Sequence, residues 1–70
     1  MAEVRAEMVA NVWKIVVSEG EVVEEGDTLV ILESMKMEIP VLAEDAGTIS
    51  KLHVEEGDVV QEGDLIAVIE

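Results

Sequence analysis

No cysteine occurs among the 70 residues, which excludes a disulfide framework and any thiolate-bound metal. Phenylalanine and tyrosine are also missing, and Trp13 is the lone aromatic, so a core must be assembled from aliphatic side chains. These are rich in valine and isoleucine, a bias that favours strands over helices. Only four residues are basic against 17 acidic, a net charge of −13. That balance speaks against nucleic acid, whose phosphates demand lysine and arginine, and against anionic membrane surfaces. Aliphatic runs such as Leu29–Leu32 are far too short to span a bilayer. Met1-Ala2-Glu3 has neither the basic start nor the apolar stretch of a signal peptide, so a cytoplasmic protein is expected. One histidine, His53, cannot complete a metal site alone, and surface exposure is its simplest reading.

What is present is a duplication. A shift of 37 positions lays residues 1–33 on residues 38–70 without a gap, with 13 identities in 33 aligned pairs. Val4, Ala6 and Glu7 return as Val41, Ala43 and Glu44; Lys14 and Val17 return as Lys51 and Val54. Glu19-Gly20, Val22-Val23 and Glu25-Gly26-Asp27 return as Glu56-Gly57, Val59-Val60 and Glu62-Gly63-Asp64, and Glu33 returns as Glu70. Internal repeats decide a fold before any local pattern does. Ser34, Met35, Lys36 and Met37 alone lack a counterpart.

Each half reads as about four short strands. Val4 to Met8 alternates apolar and polar residues, and Trp13, Ile15 and Val17 define one face of the next run with Lys14 on the other. Four acidic segments, Ser18–Glu21, Glu24–Asp27, Glu55–Asp58 and Gln61–Asp64, are predicted as turns. Each holds a glycine where a positive φ is expected. Val30, Leu32, Ala67 and Ile69 should point inward by the period of two. Pro40 should lie where edge pairing is limited, and Trp13 should cover an end or edge of the core. A lone four-stranded sheet leaves its apolar face wet, so the two halves are expected to pack as two sheets face to face. The expectation is an all-β single domain over 1–70 with internal two-fold pseudo-symmetry. Lys36 would occupy the connecting hairpin tip, with Glu33 and Glu38 flanking it, and Met1 and Glu70 would lie together at the opposite end.

A lysine at a hairpin tip can be a solvated charge, a salt-bridge partner or a site of covalent attachment. Lys36 is one of four basic residues, sits in the sole unrepeated element and is flanked by Met35 and Met37. If Lys36 points outward in a strand, its neighbours point the other way, so both methionines are expected to pack back onto the sandwich end. They would also offer a modifying enzyme an adaptable apolar surface. Ser34 has no histidine partner for nucleophilic catalysis.

Glu33-Ser34-Met35-Lys36-Met37-Glu38 resembles the Met-Lys-Met signature of biotinyl carrier domains, the biotin carboxyl carrier family. The glycine-bearing repeat is similar to the broader biotinyl/lipoyl attachment domain, a flattened barrel of two four-stranded antiparallel sheets. The likeness covers essentially the whole chain. It implies that Lys36 is the residue a biotin protein ligase acylates with covalent biotin. Met35 and Met37 would serve ligase recognition, with Glu33, Ser34 and Glu38 in support. No base is obvious beside Lys36, so activation of the amine would fall to the ligase. The resemblance further implies a non-catalytic carrier, with no catalytic or metal residue of its own. Its biotin would be carboxylated at a biotin carboxylase site and would deliver the carboxyl group at a carboxyltransferase site. Tethering raises the effective concentration of the group at both sites.

Three departures from common carboxylase carriers stand out. Glu7–Asn11 lacks the Pro-Met-Pro-Gly often found there, Ser18–Glu21 leaves no room for a protruding thumb, and no Pro/Ala-rich linker precedes the repeat. The chain therefore looks like a small free-standing attachment protein, monomeric by its charge. Two alternatives stay open: a lipoyl carrier on the same scaffold, although lipoyl domains usually carry Asp-Lys-Ala, and an unmodified β-sandwich interaction module.

Overall fold

Eight strands form along the chain in the computed structural model, which describes residues 2–70. They are β1 (Ala2–Arg5), β2 (Ala10–Ile15), β3 (Val22–Val23), β4 (Thr28–Ser34), β5 (Met37–Leu42), β6 (Gly47–Leu52), β7 (Val59–Val60) and β8 (Leu65–Ile69). They build two antiparallel four-stranded sheets, ordered β1-β8-β6-β3 and β5-β4-β2-β7. The repeat offset carries β1, β2, β3 and β4 onto β5, β6, β7 and β8, and so carries one sheet onto the other. The hydrogen bonds obey the same operation. Gly20 N–H donates to Ile49 C=O at 2.7 Å, and its image, Gly57 N–H, donates to Val12 C=O at 2.8 Å. The Glu19 carboxylate accepts from Leu52 N–H, and that of Glu56 from Ile15 N–H.

All four glycine turns form where expected. At Gly20, φ is +90° and Glu21 N–H closes the turn on Ser18 C=O, a conformation that a side chain would resist. The turns pass the chain between the sheets, so most consecutive strands lie in different sheets. β4 and β5 alone are both consecutive and paired within one sheet.

The core is aliphatic throughout. Val12, Leu29, Leu32, Ile49, Ile66 and Ile69 are each at most 2% exposed, and no polar side chain is buried among the described residues. Val30, Leu32, Ala67 and Ile69 point inward as expected. So do Leu29 and Ile66, for a reason the period of two does not contain. β-bulges at these two residues break the register between β4 and β5 and between β8 and β1, letting two successive side chains face the interior.

A second pair of bulges corrects the reading of β2. Its register with β4 shifts between Val12 and Lys14, and the register of β6 with β8 shifts at the equivalent point, between Ile49 and Lys51. Trp13 therefore leaves the inward phase shared by Val12, Ile15 and Val17. It stands 46% exposed on the outer surface, with Lys14 Nζ 5.6 Å from its ring centroid. It does not cap the core. β1 also stops at Arg5 rather than running to Met8; Ala6, 3% exposed, is instead tied to the Gln61–Asp64 turn through Asp64 C=O and Gly63 N–H.

A lysine on a left-handed hairpin

Because β4 and β5 pair directly, the loop between them is reduced to Met35 and Lys36. Glu33 faces Glu38, and Ser34 faces Met37. Both loop residues have positive φ, 53° at Met35 and 65° at Lys36. This is the primed two-residue turn whose twist matches that of its flanking strands, and it ordinarily recruits Asn-Gly. Side chains with a Cβ in that region cost roughly 1–2 kcal/mol per residue. The hairpin thus holds Met-Lys against its own backbone preference, the kind of outlier that points to use rather than stability.

That backbone also overturns the expectation that the methionines pack inward. Met35 is 91% exposed and Met37 65%. The alternation of faces belongs to strands, whereas Met35 and Lys36 lie in a turn that turns both away from the sandwich. Met35, Lys36 and Met37 form an exposed, largely apolar knuckle with one amine at its centre. The described residues give Lys36 no ion-pair partner; their one salt bridge joins Arg5 to Glu3.

Below the tip, Glu33 and Glu38 oppose one another across the ladder, half-buried and exposed respectively. Two like charges in direct register are unfavourable for the sheet, which again separates this end of the molecule from a purely structural hairpin. Asn11 lies beside Glu33 in β2 and Val59 beside Asn11 in β7, completing a row across the sheet. Ser34, half-buried, pairs with Met37 and has no histidine near it in the ladder.

The hairpin lies at the opposite end from the paired chain ends. β2 begins beside Glu33 and runs away from the tip, whereas β6 begins beside Glu70 and leads through residues 53–58 to β7 at the tip end. Ala2 pairs with Ile69 at the far end, and the longest dimension of the molecule is 31 Å. The expected place of Met1 lies outside the described residues. A groove of about 160 Å³ between β1 and β5 is lined by symmetry pairs such as Val4 with Val41 and Glu7 with Glu44. It marks the seam where the two sheet edges meet, not a site of chemistry.

Three lysines are present, and Lys14 and Lys51 are images of each other within β2 and β6. Lys36 alone stands on an unrepeated, exposed turn. A small β-sandwich that presents a lysine on an exposed hairpin turn has the architecture of a carrier domain for a covalently held group. The comparisons make the class specific. Residues 2–69 match the family described as biotin-requiring enzyme, and the chain belongs to this biotin/lipoyl-attachment family. It is 69% identical over 48 residues to the biotinylated protein TB7.3 homolog of Mycobacterium leprae, covering 67% of this chain and 68% of that one. It is 48% identical over 44 residues to the biotin/lipoyl attachment protein of Bacillus subtilis, covering 63% and 60%. Among solved structures it is similar to the Kluyveromyces lactis urea carboxylase, with a TM-score of 0.92 and 39% identity. That match covers 99% of this chain but 6% of that one.

Covalent biotin is accordingly the cofactor. The hairpin fits it: an amide to a chain-terminal carboxyl needs one accessible primary amine and no enclosing pocket, which the exposed Lys36 supplies. Sequence reasoning reached every residue of this tip. It missed the left-handed backbone, because Met-Lys carries none of the Asn or Gly signals of such a turn, and its one available signal was the two-residue gap between Glu33-Ser34 and Met37-Glu38.

Proposed function

We propose that the chain is a biotin carrier in which Lys36 is the attachment point and the folded domain is carried as substrate between partner enzymes. The observation that carries this reading is the strained, exposed Met35-Lys36 turn, isolated from an otherwise complete duplication. Lys36 Nζ, once deprotonated by the modifying ligase, attacks the carboxyl carbon of an activated biotinyl adenylate. A C–N amide bond forms, the C–O bond between the biotinyl carbonyl carbon and the phosphate breaks, AMP leaves, and the amine's second proton passes to solvent or to the ligase. Neither Glu33 nor Glu38 acts as the base; both lie in the ladder below the turn and give the neck its negative charge. Bound there, biotin supplies a ureido ring that accepts a carboxyl group at a biotin carboxylase and releases it at a carboxyltransferase. Family members within a urea carboxylase and an acyl-coenzyme A carboxylase alpha3 subunit support partners of this kind. Met35 and Met37, exposed and unpacked, serve recognition by the ligase.

Incubation with a biotin protein ligase, biotin and ATP, followed by an avidin blot, tests the assignment. Wild type should be labelled, and Lys36→Ala and Lys36→Arg should not; label persisting in either variant would remove Lys36 as the site. The B. subtilis relative's printed name keeps lipoate as the second reading. A parallel reaction with lipoate and a lipoyl ligase separates the two.

A further inference from the structure

The duplication provides an internal control for every surface position. The repeat operation carries the strand order and bulges of one sheet onto the other, so a residue that the fold requires on one outer face should have a like residue on the other. On the face of β5-β4-β2-β7 Trp13 occupies the bulge beside Lys14, the register aligns Lys14 with Ile31 and Ile31 with Pro40, and Leu42 follows two residues along β5. The repeat images of these positions are Ser50, Val68, Glu3 and Arg5. At Trp13, Pro40 and Leu42 one face is therefore apolar where its copy is polar or charged. Trp13 and Leu42 are each 46% exposed, Pro40 is exposed and Ile31 remains half-exposed, while its image Val68 is buried at 8%. Beyond β2, Val16 (51% exposed) continues the patch where its image is His53. The sheet does not need these apolar side chains, since its twin folds without them.

We propose that this face is the surface on which the biotin-attaching ligase grips the folded domain, a deepening that rests on the carrier reading above. Two observations select the occupant. The patch lies on β4 and β5, the strands that form the Lys36 hairpin, with Glu33 and Glu38 between it and the tip. A bare lysine reaches no further than its own side chain, so the enzyme acting on it must bring its surface against the domain body. Enzymes acting later reach a longer biotinyl-lysine arm and can stand off. The charge defines the complementary surface, an apolar patch edged by lysine or arginine to meet the acidic row and a chain of net charge −13. Trp13, the single aromatic residue, is the anchor, in keeping with the enrichment of tryptophan at binding hot spots.

The test gives the apolar face the residues of its own copy, as Trp13→Ser, Pro40→Glu and Leu42→Arg together, and measures biotinylation kinetics with purified biotin protein ligase. The carrier KM should rise about tenfold or more with kcat little changed, because none of these residues touches the reacting amine. A His53→Ala variant on the opposite face should behave as wild type. Circular dichroism verifies the fold; should the triple variant not fold, Leu42→Arg alone should raise KM in the same direction. An unchanged KM in a folded variant overturns the proposal, as does a loss confined to later carboxylation, which would give the face to the carboxylase. Failure of the wild-type chain to be labelled would instead strike the carrier reading itself.

Discussion

At Met35 and Lys36 the chain holds two side chains in a conformation that glycine or asparagine would adopt more readily. Selection for stability alone does not explain this, since both residues are exposed. Met35→Asn is therefore expected to stabilise the fold by about 1 kcal/mol, the left-handed cost relieved at one residue, while slowing biotinylation. Urea unfolding beside ligation kinetics checks both signs, and a destabilised variant would mean that the turn is not strained. Lys36→Ala should leave the unfolding midpoint nearly unchanged, because Lys36 makes no ion pair among the described residues. Met35→Ala should likewise affect recognition more than stability, as expected for a residue 91% exposed. The hairpin tip was legible because the duplication left four residues over. Their orientation was not, since strand alternation was extended into a turn where it does not apply.

Among the elements, the two-fold operation is broken most sharply where the hairpin and the chain ends exchange places. Gly47 opens β6 where its image Ala10 opens β2. A Cβ at Gly47 would sit 2.5 Å from Glu70 O and 2.7 Å from the Ile69 side chain. Gly47→Ala is expected to cost about 1–3 kcal/mol through overpacking, measurable as a lower unfolding midpoint. No change would show that the end of β8 yields freely. Strand existence, turn positions and pairing of the halves could all be read from valine-rich runs punctuated by acidic glycine turns. The four bulges could not. Nothing in Val12-Trp13-Lys14 or Thr28-Leu29-Val30 announces an extra residue, because a bulge is fixed by which partner strand must be matched. Strand alternation therefore groups Trp13 with Ile15 and Val17 and places it over an end or edge of the core, although its mismatch with Ser50 is visible in the aligned halves.

For the whole molecule, a core without aromatics and a charge of −13 set the conditions of stability. Ile66, fully buried at a bulge, should cost about 2–5 kcal/mol when cut to alanine, a large share of what a domain of this size can hold. Repulsion among exposed carboxylates should make the domain more stable as salt rises from low ionic strength, since screening acts on surface charge. A thermal midpoint that falls with added sodium chloride would argue that the acidic turns are paired rather than repelling.

The central claim, that this sandwich exists to present Lys36 for biotin, is tested most directly by intact mass spectrometry of the chain purified from its own cells, with peptide mapping across residues 34–38. A single biotinyl adduct on Lys36 is the result predicted. An unmodified Lys36 that also stays unmodified after incubation with biotin protein ligase, or an adduct on Lys14 or Lys51 instead, would contradict it.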